Sequence, residues 1–441
     1  MIAPIKCFII WTWLALIYLG AATPAARGQI RNPETDLDVG FKVANFKPWW
    51  PCFVNLKDGR LIAVGDGYMQ RTSTDHGRTW SEKKPLIPED QRVAGIWAIT
   101  RLNDGRLGVI VCRMGGLPNQ VGLDAENFRT QWLYFQSSDD EGQSWSKPSL
   151  INKHNTHGAP HMDTLIQLES GRLVLPVRTT FGVNSKIHKK SGRSGIVAGN
   201  EMRMGGHGHY PEMDITFCYL SDDGGKNWIK SDGYIFGWHK KGYGGIWQCD
   251  EPVAVDLGSN RVMLLMRTQI GHLYKSVSED GGYIWSIPEP SGLVSAYAPC
   301  MVRRIPATGD LLCVWNQVSP EEMKQGCERS RLSCAISKDN GETWTHFKTI
   351  ASEPLKPVGR IQAPPGHVRP PEWLGKRPDN YATVDYPNIA FSGDYVLITY
   401  NYNPSTRSTS FGPSGGSLWI GFTISSLCEA ASISDVGALQ A

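Results

Sequence analysis

The sequence has no basic run, and only 20% of its 441 residues are charged, with a formal net charge of +3. That balance makes nucleic acid an unexpected partner. After the first 28 residues there is no apolar segment near the roughly 20 residues needed to cross a bilayer, so no stable membrane insertion is expected. The histidine-rich stretches HNTHGAPHMD (154–163) and MGGHGHYPEMD (204–214) match no fixed zinc spacing, so neither metal nor cofactor is expected. An even set of cysteines is also missing. Of ten, Cys7 falls in the apolar N-terminal stretch, and the odd remainder excludes complete internal pairing. Cys300 with Cys313, or Cys327 with Cys334, are close enough in sequence to be bridged. Small buried thiols on strands are the alternative.

The N-terminus does hold one apolar run, Phe8 to Gly20, preceded by Lys6 and followed by the small residues of AATPAARGQ. This is the pattern of a secretory signal occupying residues 1–28. The expected product is a secreted or periplasmic chain, 29–441, acting as a monomer.

Gly 47 and Trp 16 are high counts, suited to an all-β chain with many turns. Five octets share one frame: STDHGRTW (73–80), SDDEGQSW (138–145), SDDGGKNW (221–228), SEDGGYIW (278–285) and SKDNGETW (337–344). Upstream of each lies a glycine-containing turn and an apolar strand, as in KDGRLIAV (57–64) or ATGDLLCVW (307–315). A sixth such segment, FSGDYVLITY (391–400), has no octet after it. Each unit reads as strand, hairpin turn, strand and a second hairpin carrying the octet. Units of about 45 to 85 residues, mostly β, fit the blades of a six-bladed β-propeller. Residues 23–45 are expected to help close the ring. Within the octet the aspartate can accept bonds from its own turn, the glycine permits a left-handed backbone and the tryptophan can bury between hairpins. Asp75, Asp140, Asp223, Asp280 and Asp339 are therefore structural.

A propeller gathers equivalent positions of its blades at one mouth. After the second strands stand Asp66, Arg113, Arg178, Arg267, Asn316 and Asn401. Before the first strands stand Trp49, Trp50, Trp97, His161 with Asp163, Glu251, Tyr297 and Tyr386. Arginine forks bind carboxylate in two-pronged fashion, and aromatic faces pack on sugar rings, so the mixture suits an anionic sugar. The insertion 182–214, with His207, His209, Tyr210, Glu212 and Asp214, and a proline- and base-rich insertion 353–380 are placed to cross the same face.

The octet resembles the Asp-box, or BNR repeat, of the sialidase (neuraminidase) superfamily, whose fold is a six-bladed β-propeller. The resemblance runs from residue 73 to about 424. It implies that Glu251 and Arg267, in CDEPVAVDLGSNRVMLLMRT, are a catalytic glutamate and a carboxylate-binding arginine. It implies the same binding role for Arg329, in RSRLSCAISKDNGETW, with Arg331 a poorer match. Tyr386, opening VDYPNIAFSGDYVLITY, takes the place of the nucleophilic tyrosine. Two features depart from the family. Its blade-one Arg-Ile-Pro is replaced by Trp49-Trp50-Pro51, and the loop of its acid aspartate is reduced to DGYMQRT (66–72), where Asp66 is the one carboxylate. Arg113 or Arg178 can stand in for the arginine, with His161 and Asp163 alongside as substrate-binding groups. Asp66, Asp163 or a histidine can serve as proton donor. The implied activity is an exo-acting hydrolysis of a terminal acidic sugar from a glycan or glycoconjugate. A polysaccharide lyase using Tyr210, His161 or His207 and a non-catalytic glycan-binding propeller are the alternatives.

Overall fold

The structure is a computed structural model. It describes residues 39–46, 51–92, 95–114, 131–152, 158–184, 193–197, 200–204, 209–238, 246–352, 355–362, 378–379, 381–403 and 416–428. The expected signal segment, Trp49, Trp50, His154, His157, His207 and most of the insertion 353–380 lie outside the described residues.

Glycine turns such as Asp58-Gly59 join antiparallel strands, and six such meanders form the six blades of a β-propeller. Blade one runs Cys52–Asn55, Leu61–Gly65, Met69–Ser73 and Lys84–Pro85. Blade four, with the longest inner strand of the middle blades, runs Asp250–Gly258, Arg261–Arg267, His272–Ser278 and Glu289–Val294. Blade five runs Met301–Arg304, Leu311–Trp315, Arg331–Ser337 and Thr345–Ser352. In blade three the expected insertion is a lengthened hairpin. Leu173–Asn184 pairs with His209–Ser221 almost throughout, so much of 182–214 is strand rather than loop.

Ring closure is made by the N-terminal strand. Val39–Phe46 pairs antiparallel with Gly416–Thr423, becoming the outer strand of blade six beside Thr383–Ser392 and Tyr395–Asn403. The first and last described strands of the ring are thus hydrogen-bonded neighbours.

The apolar core is divided into wedges between adjacent blades. One cluster joins Ile62 and Val64 of blade one to Val109 and Val111 of blade two. Another joins Phe135 of blade two to Leu175 and Phe217 of blade three. The octets explain how each wedge is sealed. In blade one Ser73 Oγ donates to Asp75 Oδ1 (2.8 Å), and Asp75 accepts from the Thr79 amide (2.8 Å). Hydrogen bonds from Ser144 and its amide hold the Asp140 carboxyl down to about 2, and those from Asn227 do the same for Asp223. The octet glycine then presses against the preceding blade. Gly225 has φ of +90°, and a Cβ there would lie 2.2 Å from Phe135 of blade two. Gly77 of blade one meets Leu397 of blade six, and Trp80 stacks edge-on against Trp419 at 5.0 Å, so the first octet closes the ring.

Blade six has no octet, and a short helix takes its place. Ile424–Cys428 packs Ile424 and Leu427 into the blade-five cluster, and Lys348 Nζ donates to the Ser426 carbonyl (2.5 Å). Neither Cys300–Cys313 nor Cys327–Cys334 is bridged. The eight cysteines whose side chains are described, Cys52 through Cys334, are buried free thiols.

Candidate active site

Two inner strands carry the same Asp-X-Pro pattern at or near their start, Asp250-Glu251-Pro252 and Asp385-Tyr386-Pro387. Proline has no amide proton for the ladder. In both strands the register breaks at this point, between Asp250 and Val253 and between Asp385 and Asn388. The middle residue takes a left-handed backbone, φ +44° at Glu251 and +53° at Tyr386. Such a conformation costs a side-chain-bearing residue on the order of 1–3 kcal/mol. The bulge turns the middle side chain out of the ladder and into the mouth. The flanking aspartates stay in register, facing Arg267 and Asn401.

The ring thereby joins groups far apart in sequence. Tyr386 Oη donates to Glu251 Oε1 at 3.2 Å. Arg267 Nη1 holds Glu251 Oε2 at 2.8 Å, and its Nε and Nη2 both donate to Asp250 Oδ2, the former at 2.9 Å. The other oxygen of Asp250 takes Arg178 Nε at 3.2 Å, while Arg178 Nη1 reaches Asp214 at 3.0 Å. Arg329 Nη1 pairs with Asp385 at 3.0 Å, Nη2 donates to the Tyr297 carbonyl (2.9 Å), and the guanidinium lies 5.6 Å from the Tyr386 ring centre. Tyr297 donates to Gln248 (2.5 Å) and Asp250 (3.1 Å), its face 4.3 Å from the Arg267 guanidinium.

Burial, and then the charge of Glu251, push the Tyr386 phenol up to about 12, against the pull of Arg267 and Arg329. Tyr386 is therefore a neutral phenol at physiological pH. Burial works against the charge of Arg267, yet Asp250 and Glu251 hold its guanidinium well above the usual value. Burial brings His161 down to about 4, so its ring is neutral, and it lies 6.1 Å from Tyr386 between ring centres. His161 Nε2 is buried and has no hydrogen-bond partner among the described residues.

The remaining predicted residues are placed differently. Asp66 is exposed at the turn after the second strand of blade one, also with a left-handed backbone (φ +49°). The next residue, Gly67, accepts from the Ile96 amide, which puts this turn at the same end of the ring as Trp97. Among the described residues no bond joins the Asp66 carboxyl to the cluster. Arg113 lies one residue before the end of its strand, opposite Trp132, and its charge falls on Tyr134. Asp163 turns into the central channel. It accepts from the Phe53 and Ile99 amides and from Asn388, and pairs with Arg303 at 3.3 Å, tying blades one, two, five and six to blade three. Arg331 is wholly buried on Glu322 and serves the wall of blade five. Asp250 and Asp385 went unsingled in the sequence. Their signal is the repeated Asp-X-Pro at the start of two inner strands.

A cavity of about 640 Å³ opens at the opposite ends of the inner strands, between Phe53, Ile99, Asp256, Arg303 and Phe391. It shares Asp163 with the channel but contains none of the tyrosine, glutamate or histidine groups above. Its arginines are already satisfied, Arg101 by Glu141 and Arg304 by carbonyls and Asn340. The tyrosine, glutamate and arginine cluster lies at the other mouth.

The BNR repeat-like domain family matches residues 116–398. The chain belongs to that family. It is a BNR-repeat protein of the sialidase superfamily, folded as a six-bladed propeller. Over 367 residues it is 24% identical to a sialidase from Micromonospora viridifaciens, covering 75% of this chain and 50% of that relative, so the chain spans about half the relative's length. Among solved structures, a protein of unknown function from Dyadobacter fermentans aligns with TM-score 0.56 and 16% identity, over 88% of this chain and 99% of the other. The intramolecular trans-sialidase from Ruminococcus gnavus, in complex with oseltamivir carboxylate, aligns with TM-score 0.53 and 13% identity over 89% and 98%. Trypanosoma rangeli sialidase, in complex with the inhibitor DANA, aligns with TM-score 0.50 and 14% identity over 86% and 55%. At these identities the structural likenesses carry the fold alone. No helix among the described residues is long and apolar enough to cross a membrane.

Proposed function

We propose that this BNR-repeat chain is a secreted, exo-acting glycoside hydrolase that releases a terminal acidic sugar, sialic acid or a relative, from glycans. The observation that carries the reading is the 3.2 Å bond from Tyr386 to Glu251, held on two strained bulges and surrounded by Arg178, Arg267 and Arg329. Tyr386 attacks the anomeric carbon while Glu251 takes the phenol proton. A neutral nucleophile suits a substrate that carries a carboxylate beside that carbon, since two anions are not forced together. Arg329, the most exposed of the three guanidiniums, meets the carboxylate first, with Arg267 and Arg178 behind it. Asp66, on the rim of the same mouth, is the carboxyl offered as proton donor to the leaving oxygen. Residues 1–28 export the chain.

The test is release of free acidic sugar from sialylated and uronic acid glycans by the purified chain. Tyr386→Phe removes the nucleophilic oxygen and keeps the ring. Turnover is expected to fall at least about a thousandfold, and Glu251→Gln to fall on the order of a hundredfold or more. Near-normal turnover in Tyr386→Phe would overturn the nucleophile. An ultraviolet-absorbing unsaturated product from the native chain would make it a lyase.

A further inference from the structure

We propose that His161 joins Arg329 in answering the acidic function of the sugar: its Nε2 receives one oxygen of that group, and the imidazole ring takes up a proton from solvent as the sugar binds. The proposal rests on the acidic-sugar reading above and specifies how that site accommodates the charge.

The first ground is an orphaned atom. His161 is 5% exposed, and its Nε2 is buried near Tyr386 with no hydrogen-bond partner among the described residues. A buried polar atom left unpaired costs about 1–3 kcal/mol. The guanidiniums around it are matched, Arg267 by Asp250 and Glu251, Arg178 by Asp214 and Asp250, and Arg329 by Asp385. His161 Nε2 is thus a buried nitrogen, unmatched among the described residues, with bonding capacity to give a ligand.

The second ground is charge. Three guanidiniums face four carboxylates in this cluster, so the described groups carry one net negative charge before any ligand arrives. A sugar carboxylate adds another. Tyr386 cannot offset it, because its phenol is neutral. The charged groups facing His161 are Asp250 and Glu251 from the inner strand of blade four, Arg267 from its second strand and Arg178 from the second strand of blade three. Tyr386 faces it from blade six. Burial keeps the ring neutral. An anion in contact with Nε2 favours the imidazolium, and the added positive charge then offsets the incoming negative one. The proton comes from water, and no bond to carbon is made or broken in this step.

The experiment is a calorimetric titration of the full chain with an unsaturated, non-hydrolysable sialic acid analogue, at about pH 5.5, in two buffers of different ionisation enthalpy. Heats that differ between buffers by the uptake of about one proton are expected, with affinity falling roughly tenfold per pH unit between the titration of the free ring and that of the bound ring, and levelling off above it. His161→Gln keeps a hydrogen-bonding side chain but cannot titrate. It should bind about tenfold more weakly, the equivalent of one charge-assisted hydrogen bond, and with no proton uptake. Equal heats in both buffers for the native chain would overturn the proposal, as would undiminished uptake in His161→Gln. Absence of any binding by the native chain would instead count against the acidic-sugar reading, and the proposal would fall with it.

Discussion

Asp250 is the residue on which the site's electrostatics turn. It is fully buried and serves two arginines from different blades, Arg267 of its own and Arg178 of blade three, and it accepts from Tyr297. Removing a carboxylate from such a cluster leaves buried guanidinium charge uncompensated, which costs about 3–5 kcal/mol. Asp250→Asn, nearly isosteric, should therefore lower the free energy of unfolding in urea by that amount, with a correspondingly lower midpoint, and abolish turnover. A variant that unfolds at the native midpoint would show that Asp250 is not the keystone of the network. This residue was hidden in the sequence for a physical reason. Glu251 and Tyr386 announce themselves as reactive types at strand starts, whereas a buried aspartate one position earlier reads as an ordinary strand terminus. The repeated proline after both was visible, but its effect, a bulge with positive φ, depends on how the second strand pairs with it.

At the scale of the element, the octet is a docking device between blades. Its aspartate builds the turn and its glycine brings the backbone against the blade before it. The tightest approach is Gly225 on the ring of Phe135. Gly225→Ala meets both a collision and a left-handed backbone, so a loss of about 2–4 kcal/mol is expected in chemical denaturation. Adding Phe135→Leu should recover the part due to collision and leave the part due to φ. A loss below about 0.5 kcal/mol in the single variant would show that the octet does not seal the wedge. The turn chemistry, and hence the blades, was legible in the sequence because it is local: serine, aspartate and glycine act within one octet. What replaced the octet in blade six was not, since the helix Ile424–Cys428 acts only through Ile424 and Leu427 against blade five.

At the scale of the whole molecule, the ring turns distance in sequence into contact. Tyr386 and Glu251, 135 positions apart, share a hydrogen bond because blades four and six face one mouth. Asp163 holds that mouth's floor by linking four other blades across the channel. From the sequence it was as good a candidate for the substrate as His161. Only closure of the ring separates them, sending Asp163 inward to the amides and leaving His161 beside Tyr386. The closing strand Val39–Phe46 also depends on partners almost four hundred positions away. The measurement that tests the mechanism most directly is mass spectrometry of the chain after incubation with an acidic sugar fluorinated beside its anomeric carbon, which slows breakdown of a covalent intermediate. A single glycosyl adduct on the peptide bearing Tyr386 is the predicted result. Continued sugar release with no adduct, or an adduct on another residue, would contradict it.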